Sequence, residues 1–157
     1  MPKTPIPRPT YALHCDPRLP QAALDYRRRE GLLEPAFLNA LNVTAWLYQT
    51  AGGTDVKVNP NVPIRDIVKQ FGPAATPDAE VGFHSEGLAG QWFKEHPEYR
   101  VLQIFSERVP CRKMCAPMLQ AYFPGVPWYY YYDRDSWREG RRVAKWPAEI
   151  LRTAYEL

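Results

Sequence analysis

The 157-residue sequence predicts an α/β domain in which a mixed β-sheet is flanked by helices. Three observations carry that expectation. Stretches with helical spacing of apolar residues take turns along the chain with stretches that are β-branched, aromatic or alternating. The first two strand-like stretches are separated only by the small-residue turn "AGG", which makes them an antiparallel hairpin. The last two are separated by a helix-length segment, the connection that parallel neighbours require.

The first twenty residues hold six prolines. Each fixes φ and removes a backbone donor, so residues 1–20 are expected as an extended leader or linker and 21–157 as the folded domain. "LPQAALDYRRREGLLEPAFLNALN" reads as helix, or as two short helices broken at Gly31 and Pro35. It offers Ala23, Leu24, Leu32, Leu33, Phe37, Leu38 and Leu41 to a core, with the Arg27 to Arg29 run on a solvated face. Val43 to Val58 reads as the hairpin, and a proline-rich loop from Asn59 to Asp78 carries the short helical patch "IRDIVKQF".

"SEGLAGQWFKEH" spaces Leu88 and Trp92 as a helix does, with Phe83 and Phe93 flanking, and Pro97 ends it. "YRVLQIFS" is a buried strand. "PCRKMCAPMLQAYF" opens on proline at a favourable first-turn position and runs as a helix that Pro117 could kink. "WYYYY" is a strand rich in β-forming aromatics, and "PAEILRTAYEL" closes the chain as a helix.

The chain is long enough to bury a core without disulfide support. No apolar run approaches the ~20 residues needed to cross a bilayer, and the N-terminus lacks the apolar segment of a signal peptide. A net charge of +3 demands no polyanionic partner. Local charge is more telling, because "RDSWREGRRVAK" from Arg134 to Lys145 clusters basic residues around Trp137, although such clusters are most often solvated surface. The three cysteines, Cys15, Cys111 and Cys115, are too few for a disulfide framework. Cys111 and Cys115, four apart, suit one helical face and a shared metal, while Cys15 reads as an ordinary buried thiol.

His84 and Glu86 form a His-x-Glu that, alone, is more often structural. The downstream half changes its weight. Pro110, Cys111 and Cys115 open the next helix with one strand between, so both helix N-termini fall at the same sheet edge, where a ligand crevice is expected. Two thiolates and an imidazole suit zinc with one open position, and helix dipoles favour the thiolate forms. Glu86 is then placed to shuttle protons without ligating the metal.

"HSE" at 84–86 and "SERVPCRKMC" at 106–115 resemble the paired signature of the zinc-dependent cytidine deaminase superfamily, H-x-E followed by P-C-x-x-C. The element order from Val43 onward is similar to that family's as well. Three residues separate the cysteines here where the signature has two, and an i, i+4 pair still shares a helix face. The resemblance implies a cytidine deaminase-like three-layer sandwich with Zn2+ at two helix N-termini, held by His84, Cys111 and Cys115, and with Glu86 as acid and base. It also implies hydrolytic deamination of cytosine to uracil in DNA, single-stranded DNA favoured.

The chain further resembles the C-terminal toxin domains of bacterial polymorphic toxin systems. That likeness implies delivery within a larger toxin lacking its own signal peptide, action in the cytoplasm of a target bacterium, a cognate immunity protein and a monomeric domain. A base drawn into a pocket needs aromatic faces and nearby cations. Trp128 and Tyr130 on the aromatic strand, Phe83 beside His84, Asn42 before the first strand and Ser106 between strand and zinc helix are the expected substrate contacts. Core packing for the aromatics, a left-handed helix end for Asn42 and capping for Ser106 are the competing readings. Double-stranded DNA, RNA or free nucleotides stand as alternative substrates. A structural zinc module that binds nucleic acid is the non-enzymatic alternative; it needs a fourth ligand, which His14, Cys15 and His96 are poorly placed to supply.

Overall fold

The computed structural model describes residues 14–61, 85–110, 115–132 and 147–157. Most of the proline-rich leader, residues 62–84 with Phe83 and His84 and most of the expected proline-rich loop, Cys111, and the basic stretch around Trp137 lie outside the described residues. Among the described residues five helices and four strands follow one another as α1 (Arg18–Glu30), α2 (Pro35–Ala40), β1 (Val43–Thr50), β2 (Gly53–Pro60), α3 (Ser85–Glu95), β3 (Arg100–Arg108), α4 (Cys115–Tyr122), β4 (Trp128–Tyr132) and α5 (Pro147–Ala154). The sheet order is β2-β1-β3-β4. β1 pairs antiparallel with both β2 and β3, and β4 runs parallel to β3 after the α4 crossover.

Local chemistry accounts for the boundaries. α1 stops where Gly31 takes the left-handed conformation, φ 68°, and returns its N–H to the Arg27 and Arg28 carbonyls. Pro35 occupies the first turn of α2, where its missing N–H has no helical partner to lose. The hairpin turns through Ala51 and Gly52, with the Thr50 hydroxyl accepting the Gly52 N–H at 3.2 Å.

β1 explains the layering. Its first six residues are all buried, so both of its faces are covered. Val43, Ala45 and Leu47 meet Leu19, Ala23 and Leu24 of α1, Leu38 of α2, and Ala148 and Leu151 of α5. Trp46 and Tyr48, alternating with them, meet Ala89 and Phe93 of α3 and Ala116 and Leu119 of α4. The molecule is therefore a mixed α/β sandwich, with α1, α2 and α5 on one face of the sheet and α3 and α4 on the other. Among the described residues no helix is long and apolar enough to cross a membrane.

Cys15 is buried as expected, in the first core together with Leu19. One expectation changes. Arg27 does not lie on a solvated face with its neighbours: it is fully buried. Its Nε and Nη2 donate to the two carboxylate oxygens of Glu107, also fully buried, at 2.8 and 2.7 Å. Nη1 donates to the Leu32 carbonyl at 2.8 Å and Nη2 to the Leu41 carbonyl at 2.7 Å. Glu107 accepts in addition the Val43 N–H at 3.0 Å and the Tyr155 hydroxyl at 2.7 Å. Burial works against the guanidinium charge, and the Glu107 carboxylate outweighs it, leaving the Arg27 pKa above its ordinary value.

Removing one member leaves the other charged and unpaired in the core, so Arg27→Ala or Glu107→Ala is expected to cost about 3–5 kcal/mol, read as a lower denaturant midpoint. Stability is also expected to fall in alkali. Burial raises Cys15 from 9.0 to about 11 and Tyr131 from 10.0 to about 12, and burial together with the Glu107 carboxylate raises Tyr155. Each folded value exceeds its unfolded one, so the contribution is complete below about pH 9 and lost as pH rises toward 12. Denaturant midpoints measured across that range should decline, whereas a flat profile would contradict the burial of these groups.

Candidate functional site

The first described turns of α3 and α4 come together on one face of the sheet. Ser85 and Glu86 lie in that turn of α3 and Cys115 in that of α4, each of them buried. Cys115 Sγ stands 3.6 Å from Glu86 Oε2, within contact for a sulfur donor. The approach of the helices is set one turn further on, at Gly90. A Cβ there would fall 3.1 Å from Met118 Sδ and 3.2 Å from Met118 Cε, closer than side chains ordinarily pack. Glu86 and Gly90, four apart, share a helix face, as do Cys115 and Met118, three apart, so the absent side chain lets the two helix starts meet.

The floor of the site comes from the strand ends. Ser106, on β3, directs its hydroxyl to Glu86 Oε1 at 3.0 Å and to the Arg108 carbonyl. Asn42 immediately precedes β1, whose antiparallel register pairs Thr44 with Ser106 and so carries Asn42 beside Arg108. Its Nδ2 lies 3.1 Å from Glu86 Oε1, 2.9 Å from Ser85 Oγ and 3.0 Å from Ser106 Oγ. Ser85 Oγ in turn donates to Glu86 Oε2 at 3.2 Å.

Glu86 is only 3% exposed, yet among the described residues no cationic side chain pairs with it. Hydroxyls, an amide and a thiol surround it instead. This contrasts with Glu107, whose charge Arg27 answers.

The expected site residues are placed as follows. Glu86, Cys115, Asn42 and Ser106 are brought together, while His84, Phe83 and Cys111 lie outside the described residues. Ser106 belongs to β3 and not to a loop, because the ladder with β1 and β4 continues to the end of that strand. Glu107, which shares that stretch, points to the opposite face and its ion pair. Asn42 does not adopt a left-handed backbone, Glu156 being the one non-glycine residue among those described with positive φ. Trp128 is packed into the second core with Trp46 and Ile104. Tyr130 is buried in register with Ser106, on the face that carries Glu86.

Ser85 and Gly90 were not singled out from the sequence. Ser85 is the middle residue of His-x-Glu, and only its neighbours in space give its hydroxyl a role. Gly90 carried a signal, a glycine inside a helix next to an alanine, which marks close packing. Among the described residues no group of three or more His, Cys, Asp or Glu side chains stands ready for a metal; of the three expected zinc ligands, Cys115 alone falls within them.

Gly90 offers a test of how the site is assembled. Gly90→Ala is expected to be tolerated by a shift of the flexible Met118 side chain. Gly90→Leu overpacks the contact, with about 1–3 kcal/mol lost in chemical denaturation and the Glu86 and Cys115 helix starts driven apart. Equal stability of the two variants would show that the helices do not meet there. Family models, curated proteins and solved structures were compared with this chain, and none matches it.

Proposed function

We propose that this chain is a zinc-dependent deaminase of the cytidine deaminase type that hydrolyses cytosine to uracil in DNA, with single-stranded DNA favoured, as a toxin domain. The observation that carries the reading is the meeting of Glu86 and Cys115 in the first described turns of α3 and α4, on one face of a mixed sheet. His84 precedes α3 and Cys111 precedes α4 in the sequence. The sheet order and three layers are compatible with the fold that the resemblance implies.

The donor set fits zinc. Cys115 is a buried thiol in contact with the Glu86 carboxyl, and a set of two cysteines and one histidine is of the soft kind that zinc selects. Zinc held by His84, Cys111 and Cys115 would supply Lewis acidity and lower the pKa of a water toward ~7. The remaining work belongs to the chain. Glu86 accepts a proton from the attacking water and delivers protons to N3 of the base and to the departing amine, which leaves as ammonia as the water oxygen takes its place at C4. Burial of Glu86 keeps bulk water from competing for those protons.

Cytosine as the base, the toxin setting, the carrier and the immunity protein rest on the family resemblance. The aromatic and basic sequence from Trp128 to Arg142 favours a polymer over a free nucleoside. A buried carboxylate beside the thiol favours chemistry over a purely structural zinc module, which has no use for Glu86.

The purified chain should carry one zinc per molecule by metal analysis, and His84→Ala, Cys111→Ala and Cys115→Ala should each lose it. Incubated with single- and double-stranded DNA, RNA and free cytidine, it should form uracil most rapidly in single-stranded DNA. Glu86→Ala should retain the metal and lower the rate by at least ~10²-fold. Absence of product on every cytosine substrate with zinc bound would overturn the cytosine reading, and absence of zinc would overturn the metal site.

A further inference from the structure

We propose that Asn42 is a positioning residue for Glu86, aiming the carboxylate at Cys115, and not a contact to the substrate. The catalytic consequence rests on the deaminase reading; the contact itself does not. Asn42 is 2% exposed, with both ends of its amide engaged. The Arg108 backbone N–H donates to Oδ1 at 3.0 Å, and because a backbone N–H can only donate, it identifies that atom as the oxygen. Nδ2 must then face Ser85, Ser106 and Glu86 as a donor.

Among the described residues Oε1 has two donors, Nδ2 and the Ser106 hydroxyl. The Ser106 hydroxyl has one proton, which the Arg108 carbonyl can take instead, whereas Nδ2 has two protons for three oxygens, of which the carboxylate Oε1 is the strongest acceptor. The Asn42 amide therefore holds Oε1 in place, which leaves Oε2 toward Ser85 and Cys115. The backbone of Asn42 is pinned as well, its N–H donating to Asn61 Oδ1 at 2.8 Å and its carbonyl accepting the Asn61 N–H at 3.0 Å. A side chain fixed at both ends and buried behind the glutamate has no donor left for a sugar.

The test combines kinetics with a stability cycle. Asn42→Ala is expected to lower kcat by roughly 10²-fold with KM unchanged, as a misplaced reacting group does. Asn42→Asp, of the same shape but presenting an acceptor to Oε1, should fail to restore it. A raised KM with kcat preserved, or activity restored by Asn42→Asp, would overturn the positioning role in favour of a substrate contact or simple packing. Denaturant midpoints for Asn42→Ala, Glu86→Ala and the double variant should be non-additive, the second substitution shifting the midpoint less than it does alone. Additive shifts would overturn the contact. A wild-type chain inactive on all cytosine substrates would sink the deaminase reading and with it the catalytic consequence, leaving the cycle to decide the contact.

Discussion

The architecture depends on the buried ion pair between Arg27 and Glu107. Taking two charges out of water is favourable only when geometry is close to ideal and every remaining proton and lone pair finds a partner. Both conditions are met. The guanidinium meets the carboxylate through two parallel bonds, and its other donors go to the Leu32 and Leu41 carbonyls in the segments flanking α2. The carboxylate also receives the first N–H of β1 and the hydroxyl of Tyr155. One pair of side chains thus joins α1, the run into β1, the end of β3 and the C-terminal segment.

This pair lies on the face of the sheet opposite the candidate site and still determines its shape. Side chains alternate across a strand, so a residue next to one anchored below the sheet is presented above it. Glu107 is held below and Ser106 therefore faces Glu86; Val43 is bonded to Glu107, and Asn42 precedes it. The strand ends that form the floor of the site are held from behind. Above them, the α3 and α4 contact at Gly90 brings Cys115 to Glu86, so the position of the thiol depends on helix packing and that of the hydroxyl and amide on the strands.

The two buried glutamates show how environment divides one residue type into two roles. Glu107 has a cation, a backbone N–H and a phenol, and its bonds are directed at holding structure. Glu86, also buried, faces only neutral donors and a thiol among the described residues. In the proposed reading its bonds serve proton transfer and not structure.

The helices and strands among the described residues were legible in the sequence, because each has a period, a capping glycine, a first-turn proline or a run of β-formers that acts within a few residues. A helix-length connection pointed to parallel last strands but left the orientation of the last one open, which the sheet decided, and Glu86 and Cys115 stood out by their spacing from His84 and Cys111. What the sequence left open involves partners far along the chain. Arg27 sits in a run of three arginines that looks solvated, and its partner is eighty residues away. Ser106 and Glu107 looked alike as loop residues, until the ladder extended β3 through them and sent them to opposite faces. Leu19 looked like leader because proline count is local and burial is not. The sequence by itself determined the elements, since these arise from short-range periodicity and backbone chemistry; only the tertiary structure decided which polar groups were buried together, since that depends on which ends of distant elements the sheet brings side by side.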